Sequence, residues 1–341
     1  MKYSGIDLHS TNSVVAVIDE ADRVLYCKRL PNDRERILAA LAPHREELAG
    51  VVVESTYNWY WLVDALMDAG FEVKLANTTA IKRYEGLKHS GDEHDAIYLA
   101  HLFRLGLLRT GYIYPRPERA LRDLARKRLQ LVRMRTQNIL SVQSLLARHT
   151  AGRPSSDVVK RWARAGIDQA IAVLPLEDEV KRALKPNLVV VGTLTEQIEQ
   201  IEDRVESQLT LREPFAILKS VPGIGKTLAA TIMLETGTLE RFGSVGQFSS
   251  YCRCVDSQRL SNGKKKGEGN TKCGNKYLAW AFIEAAQHAK IHCPEAKRFF
   301  DRKRAATNPP IAFKALAHKL ARACYHMMRE RKPFEVSRCF A

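Results

Sequence analysis

The chain has 341 residues, 45% hydrophobic and 27% charged, which is ordinary for a globular protein and long enough for two or three domains with sizeable cores. Its 54 Lys and Arg outnumber 38 Asp and Glu, a net charge of +16 that favours a polyanionic partner, most commonly nucleic acid. No apolar run approaches the ~18 residues of a membrane span, Met1-Lys2-Tyr3-Ser4-Gly5 leads straight into a strand without a signal peptide, and the odd number of cysteines, seven, fits reduced thiols.

In chain order, the first thirty residues predict three strands: Tyr3–His9, Ser13–Ile18 and Val24–Cys27, the last two joined by a turn at Asp19–Asp22. A helix is expected from about Asp33, with Ile37, Leu38 and Leu41 on one face. The β-branched run Val51-Val52-Val53-Glu54 reads as a buried strand. A helix through Tyr60, Leu62, Val63, Leu66 and Met67 stops at Gly70, and Phe71–Leu75 is a fifth strand. Helices are expected over Thr78–Tyr84 and Glu93–Leu105. A three-strand antiparallel meander followed by α/β units is the ribonuclease-H-like order. Four acids fall on its key elements. Asp7 lies on the first strand, Glu54 closes the fourth, and Asp92 and Asp95 share one face of the last helix. Such a cluster needs cations, because like charges at close range cannot all stay ionised. Two divalent ions roughly 4 Å apart would meet that need and form a phosphoryl-transfer site. The bland alternative makes Asp7 and Glu54 strand-end polar residues, and Asp92 and Asp95 caps of a helix.

Residues 115–150 form a basic helical stretch with Leu121, Leu124, Leu129, Val132, Ile139, Val142, Leu145 and Leu146 as its apolar stripe. Arg122, Arg126, Lys127, Arg133 and Arg135 lie off that stripe and suit either a solvated face or contacts with a nucleic-acid backbone. From Arg116 to Arg148 the charge is +7, and from Arg253 to the end it is +13. Residues 151–185 read as irregular. Val191, Leu194, Ile198, Ile201 and Val205 then step by 3 and 4, the spacing of a short coiled-coil seam. This helix is expected to pair with the first basic one, within a chain or between two.

The segment Val221-Pro222-Gly223-Ile224-Gly225-Lys226-Thr227 is not a phosphate loop, because Ser220 stands where that motif needs glycine. A helix-hairpin-helix fits better, with Gly223, Gly225 and Lys226 facing a DNA phosphate; a plain helix–helix turn is the alternative. The polar stretch 257–275 carries Arg259, Ser261, Lys264, Lys265, Lys266 and Lys272 and faces an anion. Cys252, Cys254 and Cys273 lack the usual zinc spacing and read as buried thiols. The rest, Tyr277 to about Arg331, is helical, and His318 and His326 suit either catalytic bases or, more commonly, packed or solvated helix positions.

Five blocks carry a resemblance: Gly5-Ile6-Asp7, Val53-Glu54-Ser55-Thr56, Asp92-Glu93-His94-Asp95-Ala96, Val221–Gly225, and Arg259-Leu260-Ser261-Asn262-Gly263 followed by Lys272-Cys273-Gly274-Asn275-Lys276-Tyr277-Leu278. In this order they resemble DEDD-type insertion-sequence transposases, the IS-one-ten family and its IS-eleven-eleven group, related to the Piv DNA invertase. The resemblance implies an α/β RNase-H/RuvC-like domain over residues 1–112, a helical coiled-coil stalk over 113–212, and a mainly α C-terminal transposase domain over 213–341. It implies Mg2+ (with Mn2+ as a substitute) at Asp7, Glu54, Asp92 and Asp95, and Ser261 as the residue that attacks DNA. It also implies a structured guide RNA, dimers or tetramers through the coiled coil, and a bacterial cytoplasmic, nucleoid-associated location. Leu260 and Asn262 depart from the Glu and Gly that commonly flank the family's serine. Within the same chemistry, a junction-resolving or hydrolytic nuclease and a catalytically inactive nucleic-acid binder are the alternatives.

Overall fold

The structure is a computed structural model that describes residues 1–77, 91–255, 258–268 and 273–340. The helix expected over Thr78–Tyr84 therefore lies outside the described residues, as does Lys272. The chain forms two compact units, Met1–Arg116 and Pro117–Ala341.

In the first unit, strands β1 (Lys2–Leu8), β2 (Asn12–Ile18) and β3 (Val24–Pro31) form an antiparallel meander. Helix α1 (Arg34–Leu41) follows, its N-terminus capped by Asp33, whose Oδ1 accepts from the Arg36 amide at 3.0 Å. A short 3-10 turn leads to β4 (Leu48–Glu54), then α2 (Tyr60–Asp68), β5 (Val73–Ala76), α3 (Asp92–Arg104) and the two-residue strand β6 (Thr110–Gly111). The sheet order is β3-β2-β1-β4-β5-β6, with β4 and β5 parallel to β1 and to each other. Strand β6 was not anticipated, because two residues carry no readable period.

Alternation sorts the sheet residues between two faces. Ile6, Leu8, Val15, Val17, Val51, Val53, Val73 and Leu75 form one core with Ile37, Leu41, Leu62, Val63 and Leu66 of α1 and α2. Val14, Ala16, Val52 and Ala76 lie on the opposite face and pack against Ala96 and Leu99 of α3. Gly5 belongs to that second face. A Cβ on it would lie 2.1 Å from the Ala96 carbonyl oxygen and 2.7 Å from the Ala100 amide nitrogen. Only glycine lets the α3 backbone lie this close to β1. The helix is fixed at its far end by Asp22, which accepts from Arg104 Nε at 2.7 Å and lies 2.9 Å from His101 Nδ1.

The second unit begins along α4 (Arg116–His149). Residues 151–185, expected to be irregular, instead contain α5 (Ser156–Ala165), α6 (Ile167–Ala172) and the start of α7 (Asp178–Leu209). The two short helices escape a period search because each offers only one or two buried positions, Val159 and Ile171. Helices α4 and α7 pair within the chain and run antiparallel. Asn138 meets Asn187 at 2.9 Å, Arg135 meets Thr195 at 3.3 Å and Arg128 meets Glu202 at 2.7 Å. Ile139, Val142, Leu146, Leu184, Leu188 and Val191 form the apolar seam between them.

There follow α8 (Glu213–Lys219), α9 (Lys226–Thr236), α10 (Val245–Tyr251), the hairpin β7 (Gln258–Ser261) and β8 (Lys264–Glu268), and then α11 (Lys276–His292), α12 (Pro294–Ala306), α13 (Pro309–Glu330) and α14 (Val336–Phe340). Phe215, Phe248, Phe282, Phe300, Leu316 and Tyr325 lie in one core shared by these helices.

Gly5→Ala should cost about 2–3 kcal/mol, because the added methyl overlaps helix backbone rather than a flexible side chain. Urea unfolding of the full chain, followed by a probe in the first unit, measures it; an unchanged midpoint would show that α3 does not depend on this approach.

Candidate metal centre and nucleic-acid-facing surfaces

Asp7 and Glu54 sit at the carboxyl ends of adjacent parallel strands. Ile6 pairs with Val53 across β1 and β4, so the next residues in each strand stand side by side on the face that carries α3. Helix α3 runs antiparallel to β1, with Phe103 against the Tyr3 ring (centroids 5.6 Å apart) and Ala96 over Gly5. Its first residue, Asp92, therefore comes to the Asp7 end of the strand. Asp95 is one turn further along the same helical face.

A third group joins them. His9 Nε2 lies 3.2 Å from Asp7 Oδ2 and 3.2 Å from Asp92 Oδ2. The His9 carbonyl accepts from Asn32 Nδ2 and Asn58 Nδ2, both at 3.0 Å, which pins the backbone that carries the ring. Arg29 reaches Asp92 from β3, Nη2 to Oδ2 at 2.6 Å. It can do so because Val14 pairs with both Asp7 and Arg29, which puts Asp7, Val14 and Arg29 in one row of the sheet. Arg29 holds the Asp92 carboxyl below the usual aspartate range, and His9 adds to that effect. Neither His9 nor Arg29 was singled out from the sequence. The signals were their spacings: His9 is two residues beyond Asp7, and Arg29 shares the strand alternation of Cys27, which packs toward α3.

Asp7 is 3% exposed, and its Oδ2 accepts no well-formed hydrogen bond among the described residues. A buried carboxylate oxygen in that condition is costly. One ligand atom each from Asp7, His9 and Asp92 lie within 4.8 Å of one another. Carboxylate oxygens with an imidazole nitrogen suit a divalent cation. The structure thus brings Asp7 and Asp92 together with His9. Glu54 and Asp95 lie on the adjoining strand end and helix turn, outside that three-residue cluster. Cys252 and Cys254 are buried, and burial pushes the Cys254 thiol up to about 12, which disfavours a thiolate ligand.

Residues 4–150 match a transposase family of the DEDD, IS110 type. Residues 215–301 match the transposase family IS116/IS110/IS902. The chain belongs to the IS110 family of transposases. It is 23% identical to the transposase for insertion sequence element IS1111A of Coxiella burnetii, over 98% of this chain and 88% of that protein. It is 24% identical to the transposase for insertion sequence element IS1328 of Yersinia enterocolitica, over 81% of this chain and 82% of that one. Among the described residues no helix is long and apolar enough to cross a membrane.

In this IS110-family chain Ser261 ends β7 and pairs with Lys264, across a two-residue turn of Asn262 (φ 49) and Gly263 (φ 68). Positive φ at both positions is the type I′ hairpin turn, for which Asn-Gly is the strongest short signal. Ser261, Lys264 and Lys266 are exposed. Arg259 lies on β7 and Lys265 on β8. In the turn between α8 and α9, Gly223 (φ 91) packs inward: a Cβ there would lie 2.4 Å from the Ala289 amide nitrogen of α11. Gly225 is open, with nothing within 4 Å of an added Cβ, and it begins α9 without a side-chain cap. Lys226 Nζ pairs with Glu206 at 2.6 Å.

The five basic residues singled out on α4 have different surroundings. Arg122 is buried, and Arg126 is paired with Glu235. Burial opposes the charge on Arg126, but the Glu235 hydrogen bonds outweigh it and hold the pKa above the usual guanidinium value. Burial, with Arg128 beside it, lowers that of Arg135. Lys127 and Arg133 are exposed and line a recess of about 430 Å³ with Gln130, Gln137 and Tyr277.

Arg29→Gln should raise the titration midpoint of the Asp92 carboxyl toward the ordinary aspartate value, read by carbon-13 NMR of the side-chain carboxyl. The sign follows from linkage. A carboxyl held low contributes stability that is present above its unfolded value and is lost as pH falls below about 4. The parent chain should therefore lose more stability between about pH 4 and 2 than the variant does.

Proposed function

We propose that the chain is a DNA transposase of an insertion sequence, in which Asp7, Asp92, Glu54 and Asp95 hold Mg2+ and Ser261 attacks the scissile phosphate. The observation that carries the metal half is the buried Asp7 oxygen, which accepts no well-formed hydrogen bond among the described residues, beside Asp92 and His9 at ligand spacing. Support also comes from the strand order, with an antiparallel meander followed by parallel strands, which is that of an RNase-H/RuvC-like domain. Bound there, Mg2+ would supply Lewis-acid polarisation of a phosphate oxygen. Arg29 pairs with Asp92 and offsets part of the carboxylate charge, and α3 holds Asp92 and Asp95 on one rigid face.

The serine half rests on the family resemblance and on an exposed hydroxyl at a hairpin tip, flanked by lysines that attract DNA by charge. The turn with Gly225 open at the start of α9 fits a phosphate-contacting helix-hairpin-helix. Lys127 and Arg133 on α4 are the residues best placed for a nucleic-acid backbone, either DNA or a structured guide RNA. The organisation we propose is a DEDD domain over 1–112, a helical coiled-coil stalk over 113–212 that also assembles dimers or tetramers, and a serine-bearing domain over 213–341. The relatives are transposases for insertion sequence elements, and we extend that activity to this chain.

Asp7→Asn should abolish Mg2+ binding in a calorimetric titration and reduce excision of an element-bearing plasmid insert by about 10³-fold or more, with duplex affinity unchanged within about twofold. Retained Mg2+ affinity would remove Asp7 from the metal site. Separately, Ser261→Ala should abolish a covalent protein–DNA adduct while DNA binding persists. Should the adduct survive, water or another group is the nucleophile, and the hydrolytic alternative takes over.

A further inference from the structure

The Ser261 hairpin is the only two-stranded sheet among the described residues. Two strands alone are marginally stable in water, so what holds the chain on either side of it matters. On either side, the described residues 251–255 and 273–275 are tied closely to one another. The Asn275 amide donates to the Tyr251 carbonyl at 2.6 Å, and Arg253 Nη2 donates to the Gly274 carbonyl at 2.9 Å. Gly274 has φ +89, and a Cβ on it would lie 2.6 Å from the Tyr251 carbonyl oxygen. The chain thus leaves and re-enters the helical body through one narrow neck.

The Asn275 side chain ties this neck to two helices. Its Oδ1 caps α11, accepting from the Tyr277 and Leu278 amides at 2.8 and 3.1 Å. Its Nδ2 donates to Glu235 Oε2 at 2.6 Å. Glu235 is 3% exposed on α9, and Arg126 of α4 grips it with two hydrogen bonds at 2.6 and 2.8 Å. The Arg126 guanidinium also lies 4.6 Å from the centre of the Tyr277 ring. A buried ion pair adds little net stability over apolar packing, yet removing one partner is costly, so its yield here is fixed geometry. Two hydrogen bonds from a planar guanidinium set both the position and the orientation of the Glu235 carboxylate.

We infer that Arg126, Glu235 and Asn275 are positioning residues for the Ser261 hairpin, with Glu235 as the buried hub that transmits the position of α4 and α9 to the neck. Their part in the reaction rests on the reading of Ser261 as nucleophile. Their effect on the hairpin does not. Arg126, on this inference, acts inside the protein rather than on a nucleic-acid phosphate.

The test uses the full chain. Hydrogen exchange of the amides of 258–268 is measured by mass spectrometry, excision is measured in cells at matched protein level, and affinity is measured for a mixed-sequence duplex. Asn275→Asp keeps the helix cap but sets a second carboxylate against Glu235. It should raise exchange in the hairpin about tenfold and lower excision about 10²-fold, with duplex affinity within about twofold. Glu235→Gln, which takes away one of the two acceptor oxygens shared by Arg126 and Asn275, should raise hairpin exchange and lower excision by similar factors. If Asn275→Asp fails to fold, Arg126→Lys, which keeps one donor to Glu235 without the fork, should give intermediate exchange. Hairpin exchange unmoved by these variants overturns the inference. A surviving adduct in Ser261→Ala would instead sink the nucleophile while leaving the exchange result standing.

Discussion

The acidic site depends on one close approach, α3 lying on β1 across Gly5. A side chain at that position would hold the helix away from the sheet and carry Asp92 out of reach of Asp7. The approach also places the N-terminus of α3, with its positive dipole end, over the carboxyl ends of β1 and β4. That end carries Asp92, Glu93 and Asp95 in its first turn, so the dipole offsets part of their mutual repulsion. Arg29 offsets more. The far end of the helix is held by Asp22 through Arg104 and His101. The helix is therefore located along its whole length, and its first turn is held in place by the sheet.

Much of this was legible. The Val51–Glu54 run reads as a buried strand because parallel strands are apolar on both faces, and the acid that ends it marks the strand's exit from the core. Asp7 and Asp92 follow from the element order. Arg29 reaches the acids through the register of β3 on β2, a relation between strands rather than within one, whereas His9 carries only the weak signal of standing two residues beyond Asp7. The Ser261 hairpin carries its own signal: Asn262-Gly263 between two short polar runs is a type I′ turn sequence, beside a lysine run that reads first as charge. The α5 and α6 helices were hidden by their brevity.

The glycines and the charges teach the same caution from opposite sides. Gly223 and Gly225 look alike in sequence, yet the first packs on α11 and only the second is open. Basic residues on α4 look alike too, yet Arg126, Arg128 and Arg135 meet Glu235, Glu202 and Thr195 inside the unit. Net charge therefore overstates the cationic surface offered to nucleic acid. A side chain committed to a buried carboxylate cannot also neutralise a phosphate without breaking that pair. The salt dependence of binding should be set by the exposed remainder, such as Lys127, Arg133, Lys264 and Lys266.

Each unit uses a similar device to fix a polar group. Gly5 lets a helix lie on a strand, and Gly274 lets the hairpin's neck close against Tyr251. In both places the missing side chain is exchanged for a backbone contact, which has few ways to rearrange. A chemical group one or two residues from such a contact inherits its rigidity. Asp7 is two residues from Gly5, and Asn275 is next to Gly274. A backbone-to-backbone contact beside a side chain at an element end gives it the fixed geometry that the proposed phosphoryl transfer would require.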